Sequence, residues 1–201
     1  MKKFFTTIRN IFAIEELRTR IINTLGFLVI FRLGSFIVLP GVDPAKLPDQ
    51  PTQGIFGLLD TFLGGAFSNA SIFALGIMPY ISASIVMQLL GTAVPYFQKM
   101  QKEGESGRNK INQITRVLTI AICIAQGIGY VSTQVPTEAI AIDPTFFRIS
   151  SLIVLASGTI FTMWLGERIT DKGIGNGISM LIMIGIISRF PGAIIAEATT
   201  K

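Results

Sequence analysis

One apolar run constrains the fold of this chain more than any other feature: Ser71 to Phe97, SIFALGIMPYISASIVMQLLGTAVPYF. It is long enough to cross a bilayer, because about 20 apolar residues span the hydrocarbon. Pro79 lies inside the run, where a proline frees the carbonyl one turn earlier. Ser82, Ser84 and Gln88 carry polar atoms that hydrocarbon cannot satisfy. We therefore predict a membrane-spanning helix that packs against protein or borders a water-filled path.

The side chains of this run allow two interpretations. Ile77, Ile81 and Ile85 recur at helical spacing and share one side, with Gln88 one turn further on. A wall that is apolar at one level and polar at the next is typical of the lining of a gated conduit. Polar residues are also common inside bundles of membrane helices. A buried bundle helix would therefore show the same pattern, and the run alone leaves both interpretations open.

Composition places the whole chain among all-α integral membrane proteins. Of its 201 residues, 50% are hydrophobic and 14% are charged, against about 25% charge in a soluble domain. The basic residues flank the apolar runs, which argues against nucleic acid as the partner of the net charge of +5. There is no histidine, which excludes histidine-based acid–base catalysis and histidine metal ligands. We expect no enzyme activity, no metal and no cofactor.

The remaining runs predict four more spans and two further helices. Residues 1–20 alternate basic and apolar positions, which predicts an amphipathic helix on the cytoplasmic membrane face, although a soluble exposed helix stays possible. The segment 55–67 is too short to span and carries Asp60, so it is either a re-entrant, plug-like element or a helix at the outer surface. We predict the five spans at about 21–39, 71–97, 117–135, 146–166 and 178–195.

Charged residues within and between the spans fix further expectations. Arg32 lies inside the first span and either faces a protein partner or snorkels to the headgroups. The segments 98–116 and 166–177 are predicted as polar loops that either dock a partner or merely set the orientation. With five spans, most of the 17 basic residues lie on the side of the N-terminus. The N-terminus is therefore predicted to be cytoplasmic, and Lys201 outside.

The alternating glycines Gly173, Gly175 and Gly177 suggest a second function. Broken helices with flexible backbone form the binding sites of many secondary transporters, near the membrane midplane. The chain would then be half of such a transporter, with its site at 173–177. Only serine, threonine and glutamine side chains offer coordination there, so this is the weaker of the two hypotheses.

Three long motifs, in order, resemble the SecY family, the central subunits of the bacterial protein-translocation channel. They are LGIMPYISASIVMQLL (75–90), KEGESGRNKINQITR (102–116) and GTIFTMWLGERITDKGIGNGIS (158–179). The resemblance implies a multi-pass protein of the bacterial cytoplasmic membrane that passes unfolded polypeptides across it and releases apolar segments into lipid. The family has ten spans in two inverted halves. This chain, with residues 21–201 as its membrane domain, is expected to be the N-terminal half and not to work alone.

The resemblance also implies partners and site residues. Expected partners are SecE-like and SecG-like small membrane subunits, a ribosome or SecA motor, polypeptides with signal sequences, and membrane lipid. The implied pore ring is Ile77, Ile81, Ile178 and Ile182, and the implied lateral-gate residues are Ser82, Ser84 and Gln88. The implied plug residues are Ile55, Phe56, Leu58, Leu59, Asp60, Phe62 and Leu63. The loops near partner interfaces carry Lys102, Arg108, Lys110, Arg116, Arg168 and Lys172.

Overall fold

The computed structural model describes residues 13–47 and 55–199, and within these ranges the chain is helical. Two isolated bridges, Val38 to Ser71 and Val42 to Ile140, are the only strand-like pairs there. The helices are α1 Glu15–Gly34, α2 Ile55–Phe62, α3 Met78–Ala93, α4 Pro95–Lys102, α5 Glu105–Gln134, α6 Pro144–Lys172 and α7 Gly177–Thr199. The all-helical prediction is confirmed for this part of the chain, whereas residues 1–12 of the predicted amphipathic helix lie outside it.

Two of these helices, α5 and α6, are long and apolar enough to cross a membrane. The pair α3 and α4 also passes this test when taken together, but it is bent by 98° at its break. The apolar part of α7, Gly177–Pro191, is shorter. The length and composition of the described helices therefore support two or three spans, and the count of five stays a prediction.

The single helix predicted over residues 71–97 is wrong at both ends. Helix α3 begins at Met78, so Pro79 lies in the first turn, where its missing N–H is harmless. Before it, residues 71–77 form turns, and the N–H of Ile72 donates to the carbonyl of Ile37 over 2.9 Å. After it, Val94 is extended because a following proline disfavours the helical conformation, and the chain bends there into α4.

The two polar loops predicted at 98–116 and 166–177 are mostly helical. A short turn with Gly104 at φ 71° separates α4 from α5, and α6 continues to Lys172. Likewise α1 begins at Glu15, so the predicted boundary between a surface helix and the first span at residue 20 does not exist. Hydropathy marks where the bilayer ends, but lysine, glutamine, arginine and glutamate are good helix formers that extend a helix into water.

Helix α7 runs through Pro191 to Thr199 without ending at this proline. The packing of the helices is simple: α5 lies against α3 and α6, α6 also contacts α1 and α7, and the short α2 rests on α7. Aromatic rings tie three of these elements together. Phe73 stacks between Phe31 of α1 and Phe161 of α6, at 5.8 Å from each ring centre.

A glycine allows the turns at 71–77 to approach α6 closely. Gly158 is buried, and a Cβ atom there would lie 2.1 Å from the carbonyl oxygen of Ile72. Main chain therefore touches main chain at this position, which places the start of α3 on the surface of α6. The contact fixes where α3 begins relative to the other helices.

Tyr130 of α5 holds the chain that follows α2. Its hydroxyl donates to the carbonyl of Phe67 over 2.6 Å, and the two rings meet edge to face at 4.9 Å. We expect Tyr130→Phe to lower the free energy of unfolding by about 1 kcal/mol, because it removes one buried hydrogen bond and keeps the ring. The apparent unfolding temperature measures this, with the exposed Tyr96→Phe as control. Equal temperatures for the two variants would contradict it.

Candidate functional site

The isoleucines predicted to form a ring lie at the starts of two helices. Ile77 immediately precedes α3 and is 3% exposed, while Ile81 is half-buried one turn later. Ile178 and Ile182 begin α7, and both are half-buried. The two helix starts border one cleft of about 370 Å³, with Tyr80 on one wall and Ile178 on another. Of the four isoleucines, Ile178 is the one among the residues that line this cleft, so the closure of the four into a ring stays a prediction.

The predicted stack of Ile77, Ile81 and Ile85 forms only in part. The N–H of Ile81 donates to the carbonyl of Ile77 over 3.1 Å, so the helical spacing holds. Yet Ile77 is buried whereas Ile85 is 52% exposed. The start of α3 is buried against residues 71–77, whereas the part of the helix around Ile85 extends beyond this contact.

The three predicted gate residues lie on the surface of α3. Ser82 and Ser84 are half-buried and Gln88 is exposed. The amide of Gln88 donates to the hydroxyl of Ser84 over 3.3 Å. These two polar groups satisfy each other along the helix, which lowers the cost of placing them on a surface that faces another element or lipid.

The predicted plug 55–67 is helical only in its first eight residues, since α2 ends at Phe62 and turns follow. Leu63 is buried and Leu59 half-buried, whereas Leu58 and Phe62 are 62% and 43% exposed. The side chains of Ile55 and Phe56 lie outside the described part of the structure. This helix therefore presents one apolar face inward and another outward.

Asp60 is the most buried charge of this segment, at 1% exposure. Its carboxylate accepts hydrogen bonds from the N–H of Ser68 at 2.9 Å and from the hydroxyl of Ser68 at 3.0 Å. It also forms an ion pair with Arg189 of α7, whose guanidinium donates to the same hydroxyl at 3.2 Å. Sequence reasoning missed Arg189, although an arginine within an apolar run already signals a buried partner.

Arg32 has a protein partner, which decides between the two interpretations of this residue. Its guanidinium donates to the carbonyl of Gly64 over 3.0 Å and lies 5.1 Å above the ring of Phe36. Gly64 and Gly65 have φ angles of 62° and 92°, a region that glycine adopts without strain. The tight turn after α2 therefore needs both glycines, and Arg32 of α1 fastens it from the side.

The residues predicted for partner loops are carried by helices instead. Arg116 of α5 pairs with Glu167 of α6, donating to both carboxylate oxygens at 2.8 Å. Lys110 lies 3.6 Å from Glu103, and Arg168 stacks 5.4 Å above the ring of Trp164. Three further residues of this set are exposed to solvent: Lys102, Arg108 and Lys172.

The glycine turn between α6 and α7 is closed by side chains of its own chain. The N–H of Ile174 donates to the hydroxyl of Thr24 at 3.0 Å, and the N–H of Gly177 donates to that of Thr170 at 2.9 Å. Arg20 donates to the carbonyl of Gly173 at 3.3 Å. The contacts of Thr24 and Arg20 fasten the turn to α1. The backbone groups of residues 173, 174 and 177 that bond to side chains are the kind that a transporter site would offer to its substrate.

Solved structures show which class of protein has this fold. The chain matches Sec61 in the canine ribosome–channel complex from the endoplasmic reticulum with a TM-score of 0.63 at 23% identity, over 86% of this chain and 36% of that one. A structure of a protein-conducting channel gives the same values. At these identities the likeness establishes the fold alone, which is that of a protein-conducting channel.

Sequence comparison identifies the family within this class. The SecY family model matches residues 71–201. The protein translocase subunit SecY of Escherichia coli strain K12 is 49% identical over 190 residues, and that of Staphylococcus carnosus is 47% identical over 196. This chain belongs to the SecY family. The matches cover 90% and 95% of this chain but only 43% and 46% of the relatives, so it spans less than half their length.

Proposed function

We propose that this chain supplies the N-terminal half of the pore-forming subunit of a protein-conducting channel. The complete channel would pass unfolded polypeptides across the bacterial cytoplasmic membrane and release apolar segments sideways into lipid. The observation that carries the proposal is the seating of α2 against α7 in a chain of the SecY family. We propose no catalytic activity.

The proposed barrier is a collar of aliphatic side chains with α2 as its plug. Ile77 and Ile81 would supply one part of the collar, and Ile178 and Ile182 another. A narrow apolar constriction stops ions because water does not wet it. Flexible isoleucine side chains can still yield to a passing polypeptide, so the same collar would seal at rest and admit a chain in transit.

The proposed membrane arrangement has five spans, with the N-terminus on the cytoplasmic side. Residues 21–34 of α1 reach about 21 Å at about 1.5 Å per residue, so the first span would also need the mostly apolar residues 35–39 that follow. The contact of Arg32 with Gly64 reduces the cost of its charge at that depth. The polar ends of α5 and α6, which carry Arg116 and Arg168, would face the cytoplasm together with the N-terminus.

The proposed partners follow from the family and from two surfaces of this chain. Ser82, Ser84 and Gln88 of α3 would border the lateral gate, where signal sequences reach lipid. The basic ends of α4, α5 and α6 would lie near SecE-like and SecG-like subunits, whereas a ribosome or SecA motor would dock mainly on the part of the relatives' length that this chain does not span. The part of the relatives' length that this chain does not span would supply the opposite gate helices and the rest of the collar.

A cysteine pair tests whether α2 occludes the pore. Gly185 lies against the carbonyl of Phe62, since a Cβ there would be 2.1 Å from that oxygen, and Ile182 precedes Gly185 by one turn. We expect Phe62→Cys and Ile182→Cys to crosslink in the resting complete channel with a short reagent that forms a disulfide bond to each thiol. Translocation of a secreted polypeptide into proteoliposomes should then stop, and should recover on reduction.

The control pair is Phe146→Cys with Ile182→Cys, because Phe146 is an exposed apolar residue at the start of α6. The native Cys123 is buried and does not compete for the reagent. Crosslinking of Phe62 without any loss of translocation would refute the plug assignment. Absence of the crosslink from resting channels would refute the proposed position of α2.

A further inference from the structure

Asp60, Ser68 and Arg189 form a polar cluster between α2, the turns that follow it and α7. We propose that Asp60 and Arg189 are positioning residues that latch α2 onto α7, so that an ion pair helps to hold the channel closed. The inference rests on the proposed function, because it takes α2 to be the plug. It goes further by naming the contact that retains the plug and by predicting what releases it.

The contacts of the cluster join three separate parts of the chain. Asp60 lies in α2, Ser68 in the turns that follow, and Arg189 in α7, 129 positions from Asp60 in sequence. Both carboxylate oxygens of Asp60 accept hydrogen bonds from Ser68, one from its N–H and one from its hydroxyl. Charge-assisted hydrogen bonds of this kind are about twice as strong as neutral ones.

A seat for α2 lies on the same face of α7. Gly185, Ser188 and Arg189 are three and four positions apart, which places them on one side of a helix. A Cβ at Gly185 would lie 2.1 Å from the carbonyl oxygen of Phe62, and a Cβ at Gly64 would lie 2.6 Å from the hydroxyl of Ser188. The end of α2 thus rests directly on the α7 backbone, which brings Asp60 within reach of Arg189.

Two cations flank the turn that carries the latch. A Cβ at Gly64 would lie 2.5 Å from the guanidinium of Arg32, and one at Gly65 would lie 3.0 Å from that of Arg189. Among the described residues, Asp60 is the acidic side chain that accepts hydrogen bonds at this turn and forms an ion pair with Arg189. Neutralising Asp60 would remove its attraction for Arg189. It would also leave the positive charges of Arg32 and Arg189 to repel each other beside the same short segment.

The unequal burial of the two partners suits a contact that must break and form again. The side chain of Asp60 is 1% exposed, whereas that of Arg189 is 36% exposed. More than a third of the Arg189 side chain is therefore not covered by this chain, so its contacts can be replaced without first unfolding the surroundings. A fully buried pair would hold the plug permanently, because breaking it would leave two dry charges.

Spin labels at two exposed positions report directly on the latch. Leu58 of α2 and Phe190 of α7 are 62% and 64% exposed, so labels on cysteines there disturb little. Pulsed electron resonance on the complete channel in lipid nanodiscs then gives the fractions of α2 that are docked and undocked. We expect Asp60→Asn and Arg189→Gln each to raise the undocked-to-docked ratio by roughly tenfold. Arg189→Lys, which keeps the charge, should fall between them and the native protein.

A double-mutant cycle separates the latch from a general loss of stability. Asp60→Asn combined with Arg189→Gln leaves neither member of the pair as an unpaired charge, so its ratio should be closer to the native value than the two single changes predict together. Glu138→Gln and Arg148→Gln, both at exposed positions, are the matched controls and should not change the ratio. If a charge variant fails to fold, Ser68→Ala is the milder test, since it keeps both charges and removes only the bridging hydroxyl.

The outcomes distinguish the latch from the proposed function on which it rests, the role of α2 as a plug. Unchanged distances in Asp60→Asn and Ser68→Ala, or strictly additive effects in the cycle, would overturn the latch. Longer distances accompanied by higher resting ion conductance would support both the latch and the seal. Longer distances with an unchanged conductance would support the latch and contradict the role of α2 as a plug.

Discussion

Replacement of Ile81 by asparagine in the complete channel should raise the resting ion conductance roughly tenfold. Ile81 is half-buried in the first turns of α3, beside the cleft that Tyr80 and Ile178 line. An amide at this height gives water a hydrogen-bonding partner inside a constriction that otherwise stays dry. A reduction of about 1.4 kcal/mol in the barrier to ion passage suffices for the tenfold increase.

Single-channel recording in planar bilayers measures this effect. Ile81→Leu is the matched control, because it keeps the volume and the apolar character of the side chain. Ile85→Asn is the second control, since Ile85 lies one turn further along α3 and is 52% exposed. Equal resting currents for Ile81→Asn and Ile81→Leu would remove Ile81 from the collar.

Replacement of Gly158 by valine should destabilise the protein by about 3 kcal/mol or more. Even the Cβ of alanine would lie 2.1 Å from the carbonyl oxygen of Ile72, which is main chain and cannot rotate away. The turns at 71–77 would have to move off α6, and the start of α3 with its isoleucines would move with them. The variant is therefore expected to lose stability and the resting seal together.

The matched control is Gly26→Ala in α1, where no atom lies within 4 Å of the added Cβ. This change should leave the stability equal or slightly higher, because alanine favours the helix over glycine by up to about 1 kcal/mol. The apparent unfolding temperature of the complete channel in detergent measures both variants. A Gly158→Val protein as stable as the Gly26→Ala protein would refute the close approach of α6 to residue 72.

Hydropathy and motif spacing predicted the class of fold but not where its helices end. All of the run 117–135 except Val135 lies in α5, which begins at Glu105, and the run 146–166 lies inside α6, which continues to Lys172. Hydropathy reports the thickness of the bilayer, whereas helix ends depend on local backbone chemistry. At Val94 that chemistry is the following proline, and at Gly104 it is a positive φ angle.

The candidate site was predictable only where it depends on local sequence. The short length of 55–67 and its Asp60 pointed to a separate element, and α2 with its tight turn occupies that place. The partners of Asp60 and Arg32 were not predictable, because they depend on contacts between residues that are far apart in sequence. Pairing of distant residues follows from tertiary packing, which neither composition nor periodicity encodes.

Residues 67 and 68 are held from two opposite sides. Tyr130 of α5 bonds the carbonyl of Phe67, and Arg189 of α7 bonds the hydroxyl of Ser68. When α5 and α7 separate, one of these attachments must yield before the other. Tyr130 is 4% exposed, whereas 36% of the Arg189 side chain is not covered by this chain. We therefore expect the segment to part from α7 first and to travel with α5, which sets the order of events during opening.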